Sequence, residues 1–307
     1  MKQKLLFTFL LLGTVILTSC RKDRVFPDIK QYDAEQIQKY IAANGLTQMR
    51  PDTSAGDTSG IYYQILNQGD TTAARIEYSD RLAMVYTLNS FDGKYKSADT
   101  ILNHYSGYLG QFSSLGLPKG LQSAIYNILK YKGGSMRLLI PSRLAYGKGG
   151  FGSGSSGNTT GRIAGNQCLD YFVRIVADQP AYDDLAITKY MAANSITEHV
   201  LDPRGFYYKI TGLDTGALVT GTSKITATYK VQYLNNTVVD SGTDSGFDVE
   251  TGVIPGVKEA LKLTRVGQTI SFLLPSRWGY GQLANDKGVP AFTCLRFEFT
   301  VKTSVNY

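Results

Sequence analysis

The sequence contains nearly the same seven residues twice, as PSRLAYG at 141–147 and as PSRWGYG at 275–281. Two longer segments also recur in the same order along the chain. These pairs are QIQKYIAANGLT at 36–47 with AITKYMAANSIT at 186–197, and SGIYYQI at 59–65 with RGFYYKI at 204–210. An ordered repeat of this kind predicts two copies of one structural unit. The 307 residues are enough for each copy to bury a core of its own.

The first copy is longer than the second. The offset between matching segments falls from 150 to 145 to 134 residues along the chain, so the first copy carries extra residues. The run GKGGFGSGSSGNTTG at 147–161 is the obvious insertion. Its Gly/Ser composition predicts a flexible loop.

Each copy begins with a segment that is typical of an amphipathic helix. In the first copy, Asp33 is the predicted N-cap, Gln36 follows three residues later, and Ile37, Tyr40 and Ile41 share one face. The corresponding face of the second copy carries Ile187, Tyr190 and Met191. We expect each lead helix to dock on its own domain, with packing against a partner protein as the alternative.

The rest of each copy is rich in strand signals. The chain has 21 Tyr, 13 Phe and 32 Gly, a composition that favours strands and turns over a helical bundle. RLAMVYTL alternates before a DG turn at 92–93, and KITATYKVQYL precedes a turn at 235–236. Leu121, Ile125 and Ile128 form a helical stripe. The pattern predicts the α+β class, with each domain an antiparallel sheet wrapped around a short helix.

The N-terminus has the layout of a bacterial export signal. Lys2 and Lys4 precede an apolar run from Leu5 to Leu17, which is too short to span a membrane. The following LTSC resembles the lipobox of bacterial lipoproteins, in which the cysteine is acylated, here Cys20. The alternative is a plain signal peptide. We expect acyl chains to hold the mature chain to a membrane, with the remainder in water.

The charge and the remaining cysteines give no sign of nucleic acid, metal or cofactor. The formal net charge of +7 includes two lysines of the export signal, and no concentrated basic patch is present. Cys168 and Cys294 stand before the two closing strands, at equivalent positions of separate domains, so they are predicted to be buried thiols too distant for a disulfide. Neither His104 nor His199 is near a cysteine in the sequence, so no zinc spacing appears.

Three blocks of the second copy resemble the FKBP-type peptidyl-prolyl cis/trans isomerases. These are DVETGVIPGV at 248–257, RVGQTISFLLPSRWGYG at 265–281 and GVPAFTCLRFEFTV at 288–301. The resemblance extends over roughly 180–307 and, less closely, over 59–178. It implies two FKBP-like domains, each preceded by a lead helix.

The resemblance implies an apolar pocket that rotates Xaa-Pro bonds without a nucleophile or metal. Twisting an amide faces a barrier of roughly 18–20 kcal/mol, and the twisted form loses charge separation, so a dry aromatic pocket favours it over the planar form. The implied pocket residues are Tyr229, Val239, Asp240, Phe247, Val253, Ile254, Val257, Tyr280, Val289 and Phe297. The Ile254 N–H and the Tyr280 hydroxyl would hold substrate carbonyls, and Asp240 would accept a hydrogen bond from Tyr229. The sequence departs from the family at Val257, where a Trp normally forms the floor.

The first copy matches the family less well. The pocket positions that match are Tyr86, Leu121, Tyr146, Ile163 and Tyr171. The expected Phe-Asp pair falls on YKS at 95–97, which has no carboxylate. LPKGL at 117–121 places a proline, which lacks an N–H, where the family uses a backbone donor.

The sequence therefore predicts a membrane-tethered lipoprotein that isomerises Xaa-Pro bonds of exported proteins, facing the periplasm from the outer membrane or displayed on the surface. The predicted divisions are a signal peptide at 1–19, a tether and lead helix at 20–58, a degenerate domain at 59–178, and a lead helix with the active domain at 179–307. The expected partners are unfolded or extended proline-containing polypeptides and the membrane, without nucleic acid or cofactor. One rival is a non-catalytic binding module or holdase chaperone. The other is a scaffold that presents the 147–161 loop.

Overall fold

The computed structural model describes residues 28–54, 59–101, 103–152, 161–282 and 288–307. The predicted signal peptide and Cys20 lie outside these ranges, as does most of the predicted Gly/Ser loop. Among the residues described, the model contains no helix with the length and apolarity that a membrane crossing needs.

The described chain forms two sheets, each with one short helix and a preceding long helix. The first half contains α1 (Ile29–Ala43), β1 (Arg50–Pro51), β2 (Tyr62–Asn67), β3 (Arg81–Ser90), β4 (Lys96–Ser97), β5 (His104–Tyr108), α2 (Lys119–Ala124), β6 (Ser135–Ile140) and β7 (Leu169–Val176). The second half contains α3 (Gln179–Ala193), β8 (Val200–Leu201), β9 (Tyr207–Thr211), β10 (Lys224–Tyr233), β11 (Val238–Asp248), α4 (Pro255–Leu261), β12 (Thr269–Leu274) and β13 (Leu295–Val305).

The two sheets have the same strand order. The first runs β1-β2-β6-β7-β3-β4, with β5 also paired to β3, and the second runs β8-β9-β12-β13-β10-β11. All of the named pairings are antiparallel. The register repeats as well, because Tyr86 lies opposite Val173 in the first sheet and Tyr229 lies opposite Phe299 in the second. The α+β fold class is confirmed.

Each short helix packs its apolar face into the hollow of its sheet. The predicted stripe of Leu121, Ile125 and Ile128 is buried, although α2 ends at Ala124 and a π-helical turn carries the last two residues. In the second sheet, Val257 of α4 packs in one cluster with Phe272 of β12. Burying a side chain of this size contributes roughly 1.5–3 kcal/mol.

Helix α1 begins earlier than the sequence predicts. Asp28, not Asp33, is the N-cap of α1, and Asp178 caps α3. Asp33 lies inside the helix and is buried, where its carboxylate accepts a hydrogen bond from the Arg143 N–H at 3.3 Å. The prediction of Asp33 as N-cap was wrong, because its carboxylate binds the N–H of Arg143 in the turn after β6 and not an N–H of its own helix. The buried faces of both helices are as predicted, with Ile37 and Ile187 at their centres.

Cys168 and Cys294 are free, buried thiols, as predicted. Each precedes a closing strand and lies beside the buried aspartate of its own lead helix, with Cys168 Sγ 3.6 Å from Asp33 Oδ1. Burial raises the pKa of Cys168 to about 12 and also raises that of Cys294 well above the ordinary thiol value. Both therefore serve as small core residues that dock the lead helices.

Candidate functional site

A cleft of about 360 Å³ opens between α4 and the β10, β11 and β13 strands of the second sheet. Eight of the ten residues that the sequence predicts for the second site line it. They are Tyr229, Asp240, Phe247, Val253, Ile254, Val257, Tyr280 and Phe297. The structure thus brings together side chains that lie up to 68 positions apart in the sequence. Their roles in chemistry remain predictions.

Aromatic rings form one wall of the cleft. Tyr229 meets Phe247 edge to face, with ring centroids 5.1 Å apart, and stacks on Phe299 at 5.7 Å. Phe299 also lines the cleft and was missed by sequence reasoning. The alternation along β13 could have found it, because Phe299 lies two residues beyond Phe297 and so faces the same side. Such rings supply a large apolar surface with few rotatable bonds.

A bulge in β11 aligns the opposite wall. Ala227 and Tyr229 on β10 are two positions apart, whereas their partners on β11 are three apart. The extra residue accompanies a left-handed conformation at Asp244, with φ of 54°. In a regular strand Asp240 and Phe247, seven positions apart, would face opposite sides. The bulge shifts the alternation by one residue, and both side chains line the cleft.

Two polar donors lie at the cleft. Ile254 is the N-cap residue of α4, and among the described residues no backbone acceptor for its N–H is found. Tyr280 follows the turn at Ser276–Trp278, with Gly281 beside it at φ of 64°. An N–H that no protein group uses, at the edge of an apolar cleft, can donate to a ligand carbonyl.

The floor and carboxylate of the cleft have distinct surroundings. Val257 is 2% exposed at the floor. Asp240 accepts a hydrogen bond from the Ser241 N–H at 2.9 Å, and its predicted bond to Tyr229 stays a prediction. Val239 and Val289 are not among the described residues that line the cleft. Val289 is fully buried in the core, which does not support it as a pocket contact. Val239 is partly buried against the same core, as Ile254 and Tyr280 are, so its pocket assignment stays a prediction.

The first domain lacks both a carboxylate and a donor at the corresponding positions. Leu88 pairs with Ser97 where the second sheet pairs Val231 with Asp240. Pro118 is the N-cap of α2, as Ile254 is of α4. The equivalence of Pro118 and Ile254 is supported by the glycine two residues after each of them. At both glycines, an added Cβ would lie within about 2.6 Å of a side chain of the strand that ends at the Pro-Ser-Arg turn, so neither site has room for a larger residue. Pro118 therefore supplies no N–H there.

The side chains predicted to bind substrate in the first domain are largely core. Leu121, Ile163 and Tyr171 are buried, so the structure does not support them as substrate contacts. Tyr86 and Tyr146 are half-buried against the same cluster. Burial raises the pKa of Tyr146 to about 12. The first domain thus fills its centre with its own tyrosines.

The edge of the first sheet is also interrupted. Val85 pairs with His104 on β5, and Leu88, three residues later, pairs with Ser97 on β4. Residues 98–101, after β4, belong to no strand, whereas β11 of the second domain is continuous. We call the described part of this excursion, residues 98–101, the edge segment. Within the described ranges, no group of three or more His, Cys, Asp or Glu side chains is placed to hold a metal ion.

Comparison with known proteins finds similarity in the second domain. Residues 216–302 match the model of the FKBP-type peptidyl-prolyl cis-trans isomerases. The chain is 31% identical over 114 residues to the FKBP-type 22 kDa peptidyl-prolyl cis-trans isomerase of Escherichia coli, a match that covers 36% of this chain and 55% of that protein. It is 25% identical over 229 residues to peptidyl-prolyl cis-trans isomerase FKBP9 of Mus musculus, covering 73% of this chain and 35% of that protein.

The chain therefore spans between about a third and just over half of the length of these relatives. Among solved structures, the three FKBP domains of wheat FKBP73 align with 85% of this chain and all of theirs, at 19% identity and a TM-score of 0.33. The family match coincides with the sheet that carries the cleft. Residues 216–302 of the second domain are thus similar to the FKBP-type peptidyl-prolyl cis-trans isomerases.

Proposed function

We propose that the second domain catalyses cis/trans isomerisation of Xaa-Pro bonds in exported polypeptides. The observation that carries the proposal is the convergence of Tyr229, Phe247, Phe297 and Tyr280 on one cleft that also presents the Ile254 N–H. The reaction needs only the planar amide to be destabilised relative to the twisted one. No covalent intermediate or metal enters this scheme.

The cleft can act in two ways on a bound prolyl peptide. Its aromatic and aliphatic walls exclude water from the amide, and a dry apolar setting penalises the charge-separated planar form more than the twisted form. The Ile254 N–H and the Tyr280 hydroxyl can hold the flanking carbonyls while the ring side rotates. Holding these carbonyls in place restricts the motion to rotation of the ring side about the Xaa-Pro bond.

We assign the first domain to binding or support, not to catalysis. It repeats the strand order and register of the second domain, yet Pro118 offers no N–H and Ser97 no carboxylate at the equivalent positions. We further propose that Cys20 is lipidated and tethers the chain to a membrane. The motif LTSC and the preceding apolar run support that placement.

A holdase chaperone is the second candidate function. Val257 favours it, because a valine at the floor provides a smaller surface under a proline ring than the Trp that the family resemblance implies. Binding extended chains needs the apolar walls but not the backbone donor. The two functions therefore differ in their dependence on the Ile254 N–H.

Ile254→Pro in the full chain tests the proposal. Ile254 has φ of −67° and is followed by a proline, and Pro118 occupies the equivalent position of the first domain at φ of −60°, so the backbone accommodates the change. Losing one hydrogen bond to the substrate should slow isomerisation of a proline-limited peptide about tenfold or less. Ile254→Ala is the control, since it trims the side chain and keeps the N–H.

An Ile254→Pro rate equal to that of Ile254→Ala would remove the N–H from the mechanism. A wild-type chain that does not accelerate the peptide, but does suppress aggregation of an unfolded client, would replace the enzyme with the holdase. Lipidation is tested separately by mass spectrometry of the N-terminal peptide from expressing bacteria, where an unmodified Cys20 would contradict the anchor. Deleting 147–161 should leave the isomerase rate intact, whereas loss of a co-purifying partner in that variant would support the scaffold.

A further inference from the structure

A second cavity, of about 390 Å³, lies between the first domain and helix α3. It is on the other face of the second sheet from the isomerase cleft. Leu273 and Cys294 pack in the cluster of α3, whereas Phe272 and Leu274, one residue away along β12, pack in the cluster of α4. The cavity is therefore separate from the site already described.

The floor of this cavity is apolar. It is formed by Ile101 of the edge segment, Leu185 and Ala186 on one face of α3, and Leu234 with Cys294 from the second sheet. Leu185 is 42% exposed, although it is a large hydrophobic side chain on a helix. An exposed leucine inside a concave apolar surface is a feature of ligand sites, because a bound hydrocarbon would cover it.

The rim of the cavity is cationic. Arg174 and Lys189 both line it, and no carboxylate does so among the described residues. Neither side chain forms an ion pair within the described part of the chain. The guanidinium of Arg174 lies over the ring of Tyr182, 5.8 Å from its centroid, which fixes its direction. Asp99, the acidic group of the edge segment, accepts a hydrogen bond from Asn235.

Contacts between the two domains hold the cavity open. Asp99 Oδ2 accepts from Asn235 Nδ2 at 2.6 Å, which ties the edge segment to the β10–β11 turn. His104 meets Tyr182 edge to face at 5.9 Å, and its Nε2 lies 3.0 Å from the Thr100 carbonyl oxygen. The walls are thus formed before any ligand arrives, which lowers the entropy cost of binding.

We propose that this cavity binds a small amphiphilic carboxylate, with one acidic head group and a short unbranched hydrocarbon tail. The volume is within the range of roughly 300–1,000 Å³ that is usual for small-molecule sites. The tail lies on the apolar floor, and the head group lies between the Arg174 guanidinium, a fork suited to carboxylates, and the Lys189 ammonium. This proposal is independent of the isomerase activity.

Calorimetric titration of the full chain with octanoate tests the proposal. Octanoate should bind saturably, while acetate and 1-octanol, which carry only the charge or only the tail, should bind at least tenfold more weakly. The double variant Arg174→Gln/Lys189→Gln should weaken octanoate at least tenfold. The matched control, Lys39→Gln/Arg75→Gln, removes the same charge at exposed positions outside the cavity and should leave binding unchanged.

A steric variant gives a second test. Leu185→Trp fills the cavity from an exposed position and should abolish octanoate binding without lowering the thermal midpoint. The absence of saturable octanoate binding would overturn the proposal, as would equal binding by the double variant or by 1-octanol. A peptide with an apolar C-terminus that displaces octanoate and binds at least tenfold more tightly would also overturn it, in favour of a polypeptide ligand.

Discussion

The buried carboxylate of Asp183 accepts hydrogen bonds from both the backbone N–H and the hydroxyl of Ser276, at 2.8 and 2.6 Å. It thereby joins the lead helix of the second domain to the first residue of the turn that carries Tyr280. In the first domain, Asp33 accepts instead from the N–H of Arg143, the residue after Ser142, at 3.3 Å. The Pro-Ser-Arg turn of the second domain therefore has two roles: it binds the lead helix, and it precedes Tyr280, which lines the cleft.

Replacing Asp183 by Ala should destabilise the second domain by about 2–4 kcal/mol. Asp183 and Ser276 are each 1% exposed, and removal of the carboxylate leaves two buried donors without an acceptor. Urea unfolding of the full chain measures the change. The control is Asp184→Ala on the same helix, whose exposed carboxylate accepts a hydrogen bond from the Tyr207 hydroxyl at 2.9 Å, with an expected change of about 1 kcal/mol or less. Equal effects of the two variants would contradict a docking role.

Replacing Tyr280 by Phe should slow isomerisation about two- to tenfold, the range that one lost hydrogen bond to the substrate gives. The ring and its packing are retained, so the thermal midpoint should not move. A proline-limited peptide assay provides the rate, and Tyr108→Phe, an exposed tyrosine of the first domain, serves as the control. An undiminished rate would exclude the Tyr280 hydroxyl from the mechanism.

Replacing Val257 by Trp should raise kcat/KM, because the indole would extend the apolar floor toward the proline ring. The valine is almost fully buried, so the larger side chain should also cost about 1–3 kcal/mol of stability. Leu121→Trp at the equivalent position of the first domain should destabilise without any gain in rate. If a folded Val257→Trp chain has an unchanged or lower kcat/KM, the absence of a Trp at the floor does not limit the isomerisation rate of this cleft.

Cys168 and Cys294 should resist alkylation in the folded chain at pH 8. With a pKa of about 12, Cys168 has roughly one thiolate per ten thousand molecules at that pH. Because burial raises the folded-state pKa, the buried protonated thiol stabilises the folded chain. This stabilisation is fully present below the unfolded thiol pKa and is lost as the pH rises toward 12. Mass spectrometry after iodoacetamide treatment, with and without denaturant, measures the reaction. Modification of either thiol before unfolding would refute its burial.

The sequence predicts the strands and turns of the two halves because these depend on local patterns, whereas the cleft residues were predicted from the family resemblance. The family resemblance assigns Tyr229 and Phe297 to the cleft, and both line it. The repeated segments have matching strand registers in the two sheets. Gly93 at φ of 69° and Asn236 at φ of 67° lie in the two predicted turns. These features need only the side-chain period and the turn chemistry of a few neighbouring residues.

What the sequence did not predict depends on pairing between distant segments. Nothing in VVDSGTDSGFD marks which residue of β11 is the extra one, so the shared direction of Asp240 and Phe247 follows only from the pairing with β10. Asp33 resembles an N-cap by spacing, and its true acceptor role requires Arg143, 110 positions later, to be nearby. Val289 was assigned to the pocket, but in the fold it lies wholly within the core.

The excursion of the edge segment fixes the order of the two halves. In the first domain, the stretch that would have walled a cleft instead braces the neighbour through Asp99 and Ile101. In a chain with the halves exchanged, the edge segment would have no following domain to contact, and the cleft of the other half would lose this support. The two halves share one strand order, but this inter-domain contact works only with the first half preceding the second along the polypeptide.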